Sequence, residues 1–586
     1  MNDIIVGIDL GTTNSEIAIV ENGKTVVIED SGSKILPSFV GMSETNEVLV
    51  GEPAKNQYVL YPERTVKSIK RRMGEEIKVD MAGQGYTPQE ISAIILKHLK
   101  GIAEDYLKQP VHKAVITVPA YFSDAQRQAT REAGEIAGLE VVRMINEPTA
   151  AALSYEADQK THKRILVYDL GGGTFDVSVV NIEDDVVEVV ASHGNNKLGG
   201  DDFDQKIAEY LVEQIKEESG FDIQQSRKAI ARINRAAESA KRALSDKPFV
   251  LIEEEYLEEH DGVPIHLSLE LARDDYEEMI EEYIDETLEA VHIALKGANL
   301  TASDIDEILL VGGSTRTPLV SERLKTDLRL QPRLDVDPDL CVATGAAIQG
   351  AMIAGTDVSA AAVLVDITPY TYGTSALGEM NGELYPYMYV PIIHKNSSLP
   401  LNKTEVFYTV SDNQEKVDVR VFQGEERDAL NNIQIGEFMV EGLSLVPQGN
   451  PILLKLELDL NGILDVSAIE KNTGFEKSIV IDNAISRFEE GEMETAKDRI
   501  RELFGEEGDG SVIFEQDNKT ETHHAIVQAR ALVEKAERML DDASPEDRED
   551  MVNMIETIND AMNNSDIKAL KEPMDQLSDI LYYLES

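Results

Sequence analysis

Through the first 356 residues, short apolar runs alternate with segments whose apolar positions recur at helical spacing. "KAVITVPAY" (Lys113 to Tyr121), "KRILVYDL" (Lys163 to Leu170) and "DEILLVGG" (Asp306 to Gly313) predict buried strands. "EISAIILKHLKGIAEDYLK" (Glu90 to Lys108) predicts an amphipathic helix. Strand and helix in alternation imply α/β layers. Residues 357–366, "DVSAAAVLVD", are small and apolar with no helical face, and Thr368-Pro369 stands close behind, so 357–367 is expected to be a linker.

From Thr368 to about Asn483 the period changes to two. In "PILLKLELDLNGILDVSA", Ile452, Leu454, Leu456, Leu458 and Leu460 share one face, Asn461-Gly462 fits a two-residue hairpin turn, and Leu464, Val466 and Ala468 return. "EVFYTVSDNQEKVDVRVFQGE" (Glu405 to Glu425) has the pattern of a second hairpin. Antiparallel β structure is expected over 368–483. Beyond Asn483 the pattern is helical and charged. Ile526, Val533, Ala536 and Leu540 line one side of a helix; Ser544 can cap the next, whose stripe is Met551, Met554, Ile555, Ile558 and Met562. A third helix is expected after Ser565, broken or kinked at Pro573.

A chain of 586 residues is too long for one ordinary core, so two to four domains are expected. Its 55 basic against 109 acidic residues give a formal charge of −54. That field repels nucleic acids and anionic membranes, which argues against either as a main partner. The single cysteine, Cys341, excludes a disulfide framework and a cysteine-based zinc site; among the small residues of "CVATGAAIQG" it is expected to be buried. The start "MNDIIVGIDLGTTNS" lacks the basic opening and long apolar run of a secretory signal, and no window approaches a membrane span of ~18 apolar residues. A cytoplasmic protein is expected.

Two stretches carry the chemistry. "GIDLGTTNS" (Gly7 to Ser15) and "VYDLGGGTFD" (Val167 to Asp176) each run from an apolar strand through Asp-Leu-Gly into a turn with small hydroxyl residues. Glycine lets backbone N–H groups approach phosphate oxygens closely, and Thr12, Thr13 and Thr174 add hydroxyl donors. Asp9 and Asp169 end their strands where two carboxylates could hold hydrated Mg²⁺. Two copies suggest a duplicated phosphate clamp closing on one nucleotide. A P-loop fails on spacing, because the only Gly-Lys-Thr, Gly23 to Thr25, has Ala18 where the first glycine is needed.

With "INEPTAAAL" (Ile145 to Leu153), "AESAKRALS" (Ala237 to Ser245) and "ILLVGGSTRTP" (Ile308 to Pro318) added in this order, the chain resembles the DnaK-type seventy-kilodalton heat-shock chaperones, relatives of actin and the sugar kinases. The resemblance covers the whole length. It implies a multidomain chain: an α/β actin-like ATPase domain of two lobes over 1–356, the linker over 357–367, an antiparallel β-sandwich that binds peptide over 368–483, and an α-helical lid over 484–586. A sugar-kinase relative would account for the first part and leave about 230 residues without a role.

The resemblance also implies roles. Lys70 looks like the lysine that orients the attacking water, Asp176 the acid beside that water, and Thr174 the hydroxyl beside the γ-phosphate. Glu147 joins Asp9 and Asp169 around the water shell of Mg²⁺. ATP or ADP would lie against Gly11, Thr12, Thr13 and Asn14 from one half, and Gly171, Gly172, Gly173, Gly199 and Gly200 from the other. Glu238, Lys241, Arg242 and Ser245 match one wall of the adenosine pocket; Gly312, Gly313, Ser314, Arg316 and Asp339 match the opposite wall. K⁺ is implied beside Mg²⁺. Pro119 and Arg127 match a pair that relays nucleotide state, and Arg143 and Asp366 match positions that dock a J-domain. Thr374, Leu377, Phe407, Val410, Val417 and Val419 match a cleft for extended apolar peptides, with Leu377 and Val410 arching over it. Partners implied are unfolded client segments, a J-domain co-chaperone and a GrpE-type exchange factor, with the chain mainly monomeric. The sequence departs from the family pattern at three places: "AAAVLVD" is poor in leucine, Thr374 is polar, and "GEMNGELYPYMYVPIIHKN" (Gly378 to Asn396) is a longer hairpin than usual. The lid departs further at "FGEEGDGSVIFEQDNKTETHH" (Phe504 to His524), whose His523-His524 is expected to be a solvated pair.

Overall fold

A computed structural model describes residues 4–156, 162–183, 186–333, 337–356, 363–474, 476–480 and 490–505, with isolated positions between 533 and 577. The three sequence-expected strands and the helix are present as Lys113–Val118, Lys163–Leu170, Glu307–Val311 and Pro88–Leu107. Thr87 and Glu90 cap that helix reciprocally: the Thr87 amide donates to Glu90 Oε2 at 2.8 Å and the Glu90 amide to Thr87 Oγ1 at 3.2 Å.

Two mixed sheets carry the first half, and their centres are built alike. In one, Ile5–Leu10 lies between parallel Lys113–Val118 and antiparallel Asn14–Glu21. In the other, Lys163–Leu170 lies between parallel Glu307–Val311 and antiparallel Phe175–Glu183. The helices Glu147–Glu156 and Cys341–Ile353 fill the space between them, in one core that takes Ile5 and Val115 from the first sheet and Ile165, Val167 and Val180 from the second. Small side chains permit this approach: a Cβ at Gly345 would stand 1.8 Å from the Ala150 carbonyl oxygen. Cys341 is buried in this core, as expected.

The later β region forms two four-stranded antiparallel sheets. One runs Glu383–Ile393, Tyr372–Met380, Lys416–Gln423, Ile433–Glu441; the other runs Leu401–Tyr408, Pro451–Leu458, Leu464–Glu470, Glu476–Val480. Ile452, Leu454, Leu456, Leu458, Leu464, Val466 and Ala468 face a shared core with Val419, Val421 and Val440.

Two expectations fail here. Leu460 does not continue the apolar face but is 45% exposed. The Asp459 carboxylate accepts from the Asn461 and Ile463 amides at 2.8 and 2.9 Å, ending the strand at Leu458, which pairs with Leu464 across a loop longer than two residues. The expected hairpin over Glu405 to Glu425 is absent: Leu401–Tyr408 pairs with Pro451–Leu458, whereas Lys416–Gln423 pairs in the other sheet. Alternation predicts strands but not partners. The segment between them has its backbone satisfied elsewhere, with the Thr409 amide donating to Asn450 O at 3.1 Å and the Asn413 amide to Val446 O at 2.8 Å, so it bridges the sheets.

The β region is docked on the first half. Val363–Val365, inside the expected linker, adds as a parallel edge strand to Val186–Asn195. The 459–463 loop meets the other sheet's edge, where Asn461 Oδ1 accepts from the Met144 amide at 2.9 Å and Ile463 packs with Val118, Phe122 and Met144. Helix Glu490–Leu503 lies against Pro88–Leu107: Ala496 and Ile500 enter its core, and Arg499 donates to Glu90 Oε1 and Gly85 O, each at 3.0 Å. The expected helices after 505 and His523-His524 fall largely outside the described residues, although Pro573 is described and helical, and Val533, Ala536, Met551, Ile555 and Ile558 are described and buried. Among the described residues no helix is long and apolar enough to cross a membrane.

Candidate active site

The duplicated sheet centres bring Asp9 and Asp169 to one cleft. Both end the central strand of their sheet, and each stands opposite an acid on the antiparallel neighbour: Asp9 pairs with Glu16, Asp169 with Asp176. Lys70, on a short 3₁₀ turn, ion-pairs with Glu147 at the start of the interlobe helix. Asp9 accepts from Thr117 Oγ1 at 2.6 Å. Asp176 accepts from the Tyr121 amide at 2.9 Å and also from the Ala120 amide.

This is a crowd of buried carboxylates around one lysine. Burial raises the pKa of Asp9, Asp169 and Glu147, and for Asp169 the neighbouring Glu147 and Asp176 raise it further. Burial and the Asp9 carboxylate push Glu16 well above the ordinary range. Asp176 is pushed up to about 7 by burial and by Glu147, held there by the two backbone amides that favour its charged form. Burial opposes the charge on Lys70, yet Glu147 and Asp9 carry its pKa above the usual value, so it stays cationic.

Around this crowd, Asp9, Gly11, Thr12, Thr13, Asn14, Lys70, Glu147 and Asp169 line one cavity with Gly171, Gly172, Thr174 and, beyond them, Gly312, Gly313 and Asp339. A Cβ at Gly172 would stand 1.8 Å from Thr13 Oγ1, so a larger residue there would displace the Thr13 hydroxyl. Gly173, Gly199 and Gly200 are not in this lining. They allow turn to pack on turn, since a Cβ on Gly199 would reach the Gly173 nitrogen at 2.5 Å. Asp176 lies behind the lining. A contiguous cavity of about 740 Å³ is walled by Glu238, Lys241, Arg242 and Ser245 on one side and Gly313, Ser314, Arg316 and Asp339 on the other. Arg316 pairs with Asp339 at 2.6 Å, Lys241 with Asp204 at 2.8 Å, and Glu238 with Lys55 of the opposite lobe at 3.3 Å.

The chemistry of the donors fits a nucleotide with its cation. Thr13 Oγ1 is buried at the turn without a hydrogen-bond partner, as a hydroxyl aimed at a missing acceptor would be. The clustered carboxylates call for a positive charge that Lys70 alone does not supply. Among the described residues no three acidic, histidine or cysteine side chains are placed to ligate a metal directly, so acids here would act on a cation through its water.

The sequence reading missed Glu16, Thr117 and Tyr121. Glu16 was accessible from the hairpin register, which sets it opposite Asp9; the contacts of Thr117 and Tyr121 depend on strand order and on the closure of one lobe over the other.

The remaining candidates lie along the docked surface. Pro119 is buried where its strand ends, and its carbonyl accepts from the Phe122 amide at 3.2 Å. Arg127 is buried and donates to Asn146 Oδ1 at 2.7 Å and Ala120 O at 3.1 Å, and reaches Asn461 O of the β region at 3.5 Å. Asp366 accepts from Thr149 Oγ1 at 3.2 Å. Arg143 has its pKa lowered by burial against the pull of Asp366, and its buried Nε has no partner. In the β region, Val419 is buried with Phe407 and Val417 packed on the same core, while Leu377 and Val410 are 50% and 61% exposed. Thr374 is buried and spends its hydroxyl on Arg420 O at 2.7 Å.

The model of the family described as "Hsp70 protein" matches residues 5–79 and 75–585. The chain is 44% identical over 587 residues to the chaperone protein DnaK of Thermosipho africanus, covering 98% of this chain and 95% of that protein. It is 44% identical to DnaK of Thermotoga neapolitana and 43% identical to DnaK of Thermotoga maritima, each over 594 residues with the same coverage. With such identity over nearly its whole length, the chain belongs to the Hsp70 family and is an ATP-dependent chaperone.

Proposed function

We propose that the chain holds extended apolar client segments in its β domain and drives their release and capture by hydrolysing ATP in the interlobe cleft. The domains in this reading are an actin-like ATPase domain over 1–356, the linker over 357–367, a β-sandwich over 368–483 and a helical lid over 484–586. The observation that carries it is the Lys70–Glu147 pair with Asp176 behind it, in an ATPase half on which the linker strand, the β domain and helix Glu490–Leu503 are docked.

Hydrated Mg²⁺ on the triphosphate, with K⁺ nearby, would supply charge neutralisation at the transferring phosphoryl group. Asp9, Asp169 and Glu147 would hold that cation through its water. Lys70 orients the attacking water and offsets developing charge, and its ammonium is fixed by Glu147. Asp176 takes the water's proton; a pKa of about 7 suits that task. Thr174 and Thr13 donate hydroxyls, with Gly11, Gly171 and Gly172 turning the backbone toward phosphate. The adenosine end lies between Lys241 and Arg316.

Coupling follows from what is docked. ATP favours the arrangement described here; hydrolysis frees the linker strand and helix Glu490–Leu503, and the lid closes on peptide. Arg127 and Pro119 relay the change. Arg143 and Asp366 receive a J-domain, and a GrpE-type factor opens the lobes. In the cleft, Thr374, Phe407, Val417 and Val419 form the floor and Leu377 and Val410 the arch. The chain acts mainly as a monomer in the cytoplasm. A specialised client set is favoured by one observation: the extended hairpin ends in exposed Leu384 beside Tyr385, whose hydroxyl bonds Asp428 at 3.0 Å. Lys70→Ala is expected to abolish single-turnover ATP hydrolysis while ATP still binds; unchanged hydrolysis would sink the assignment.

A further inference from the structure

One guanidinium crosses from lobe to lobe beside the phosphate turns. Arg71 follows Lys70 on the same short 3₁₀ turn of the first lobe. Its Nη2 donates to two groups of the second lobe, Lys197 O at 2.9 Å and Asp202 Oδ1 at 3.0 Å. Its stem lies on the second phosphate turn, since a Cβ on Gly173 would stand 2.7 Å from Arg71 Cγ and 2.7 Å from Thr12 Cγ2. We propose that the Arg71–Asp202 bridge is a strap over the terminal-phosphate end of the cavity: it retains the inorganic phosphate left by hydrolysis until the strap opens.

Both ends of the strap are fixed. Arg71 shares its turn with Lys70, which Glu147 holds by an ion pair. The Asp202 carboxylate is held by its own helix, where Oδ2 accepts from the Gly199 amide at 2.8 Å. Each partner is 22% exposed, so water screens the pair less than it would a surface bridge. Under the strap the two Asp-Leu-Gly turns meet, Gly173 resting on Thr12 and Gly172 on Thr13. Thr12, Thr13, Gly172 and Thr174 line the inner cavity of about 80 Å³, which shares Thr13, Gly172 and Gly313 with the wide one. A nucleotide whose adenosine lies in the wide cavity therefore points its terminal phosphate inward. After hydrolysis, ADP stands between the cleaved phosphate and the wide cavity. Phosphate then leaves ahead of ADP by a parting of the lobes at the two turns, and that movement breaks both bonds of Arg71. A second ion pair between the lobes, Lys55–Glu238 at 3.3 Å, lies on the adenosine wall and does not cover this end.

The proposal rests on reading the inner cavity as the seat of the terminal phosphate. Arg71→Met keeps an unbranched stem beside Gly173 and deletes the guanidinium. The full chain is loaded with Mg²⁺, ADP and radiolabelled inorganic phosphate, then diluted into unlabelled phosphate while loss of the label is timed. The parent is expected to retain phosphate, and Arg71→Met to lose it faster by about tenfold or more, the worth of a charge-assisted bond. ADP dissociation, followed with a fluorescent analogue, should stay near the parent rate. Asp202→Asn keeps an acceptor for the Gly199 amide and should move phosphate loss in the same direction. Equal acceleration of phosphate and ADP overturns the proposal, because the bridge would then merely hold the lobes together. Unchanged phosphate loss in either variant overturns it too, as does a parent that keeps no phosphate beside ADP. Failure of the underlying reading looks different: Lys70→Ala would then hydrolyse ATP at the parent rate.

Discussion

The two Asp-Leu-Gly strand ends are the same device built twice and put to different ends. Each sets a carboxylate at the end of a central strand and a second acid opposite it on the antiparallel neighbour: Asp9 with Glu16, Asp169 with Asp176. The partner acids then diverge. Asp176 accepts two backbone amides from Ala120 and Tyr121, which belong to the opposite lobe, and its pKa stops near 7. Glu16 is buried facing Asp9 and Asp339, and is driven well above the ordinary carboxylate range despite the opposing pull of Lys70. Duplication supplies the acids; what the facing lobe brings decides which of them is ionised and available as a base.

That contrast is broken most sharply by neutralising each acid in turn. Asp176→Asn removes the proposed proton acceptor and is expected to slow single-turnover hydrolysis by about 10²- to 10⁴-fold. Glu16→Gln replaces a side chain whose burial and neighbouring acids favour its neutral form, and should leave the rate within about threefold. Stopped single-turnover assays on both variants at pH 7.5 settle it; a loss at Glu16 equal to that at Asp176 would show that the lobes share the base.

A smaller effect separates the glycines that follow the two Asp-Leu pairs. A Cβ on Gly11 would stand 1.9 Å from the Asn14 carbonyl oxygen, which is backbone and has no room to move; at Gly171 the nearest atom is the Thr174 carbonyl oxygen at 3.6 Å, an ordinary contact. Gly11→Ala should destabilise the nucleotide-free protein by about 1–3 kcal/mol, as overpacking does, while Gly171→Ala should stay near parent. Urea unfolding followed in parallel would refute the asymmetry if the two midpoints moved together.

The same contrast shows what a reader of the sequence could and could not see. The Asp-Leu-Gly repeats, the strands leading to them and the helix Pro88–Leu107 lie in continuous patterns of period two or 3.6, and the structure contains them as expected. Strand partners are another matter. The run over Glu405 to Glu425 has two good strands, but their pairing is decided by which backbone groups the connecting segment can satisfy, so the expected hairpin is split between sheets. Leu460 fits the alternation until the Asp459 side chain closes its turn early. The amides that tune Asp176 come from residues 55 or so positions away in the chain. Chemistry that depends on lobe closure or domain docking has no local signature.

The least of the expected effects concerns stability, and its sign follows from Glu16. A carboxyl whose pKa is raised on folding keeps its proton when the unfolded chain has already released it. Above the unfolded value of 4.5 the native state therefore binds more protons than the unfolded state, and stability falls as pH rises. Asp9, Asp169, Glu147 and Asp176 are shifted in the same direction, so the nucleotide-free protein should lose stability steadily from pH 5 toward pH 8. Glu16→Gln removes one contributor and leaves the others. Its melting temperature should approach the parent's as pH falls below 4.5, where the glutamic acid becomes neutral in both states, and exceed it by a growing margin as pH rises toward 8. Calorimetry of both proteins in EDTA, without nucleotide, tests this. A constant offset between the two curves would mean that the amide changes packing alone and that Glu16 carries no more charge penalty than an exposed glutamate.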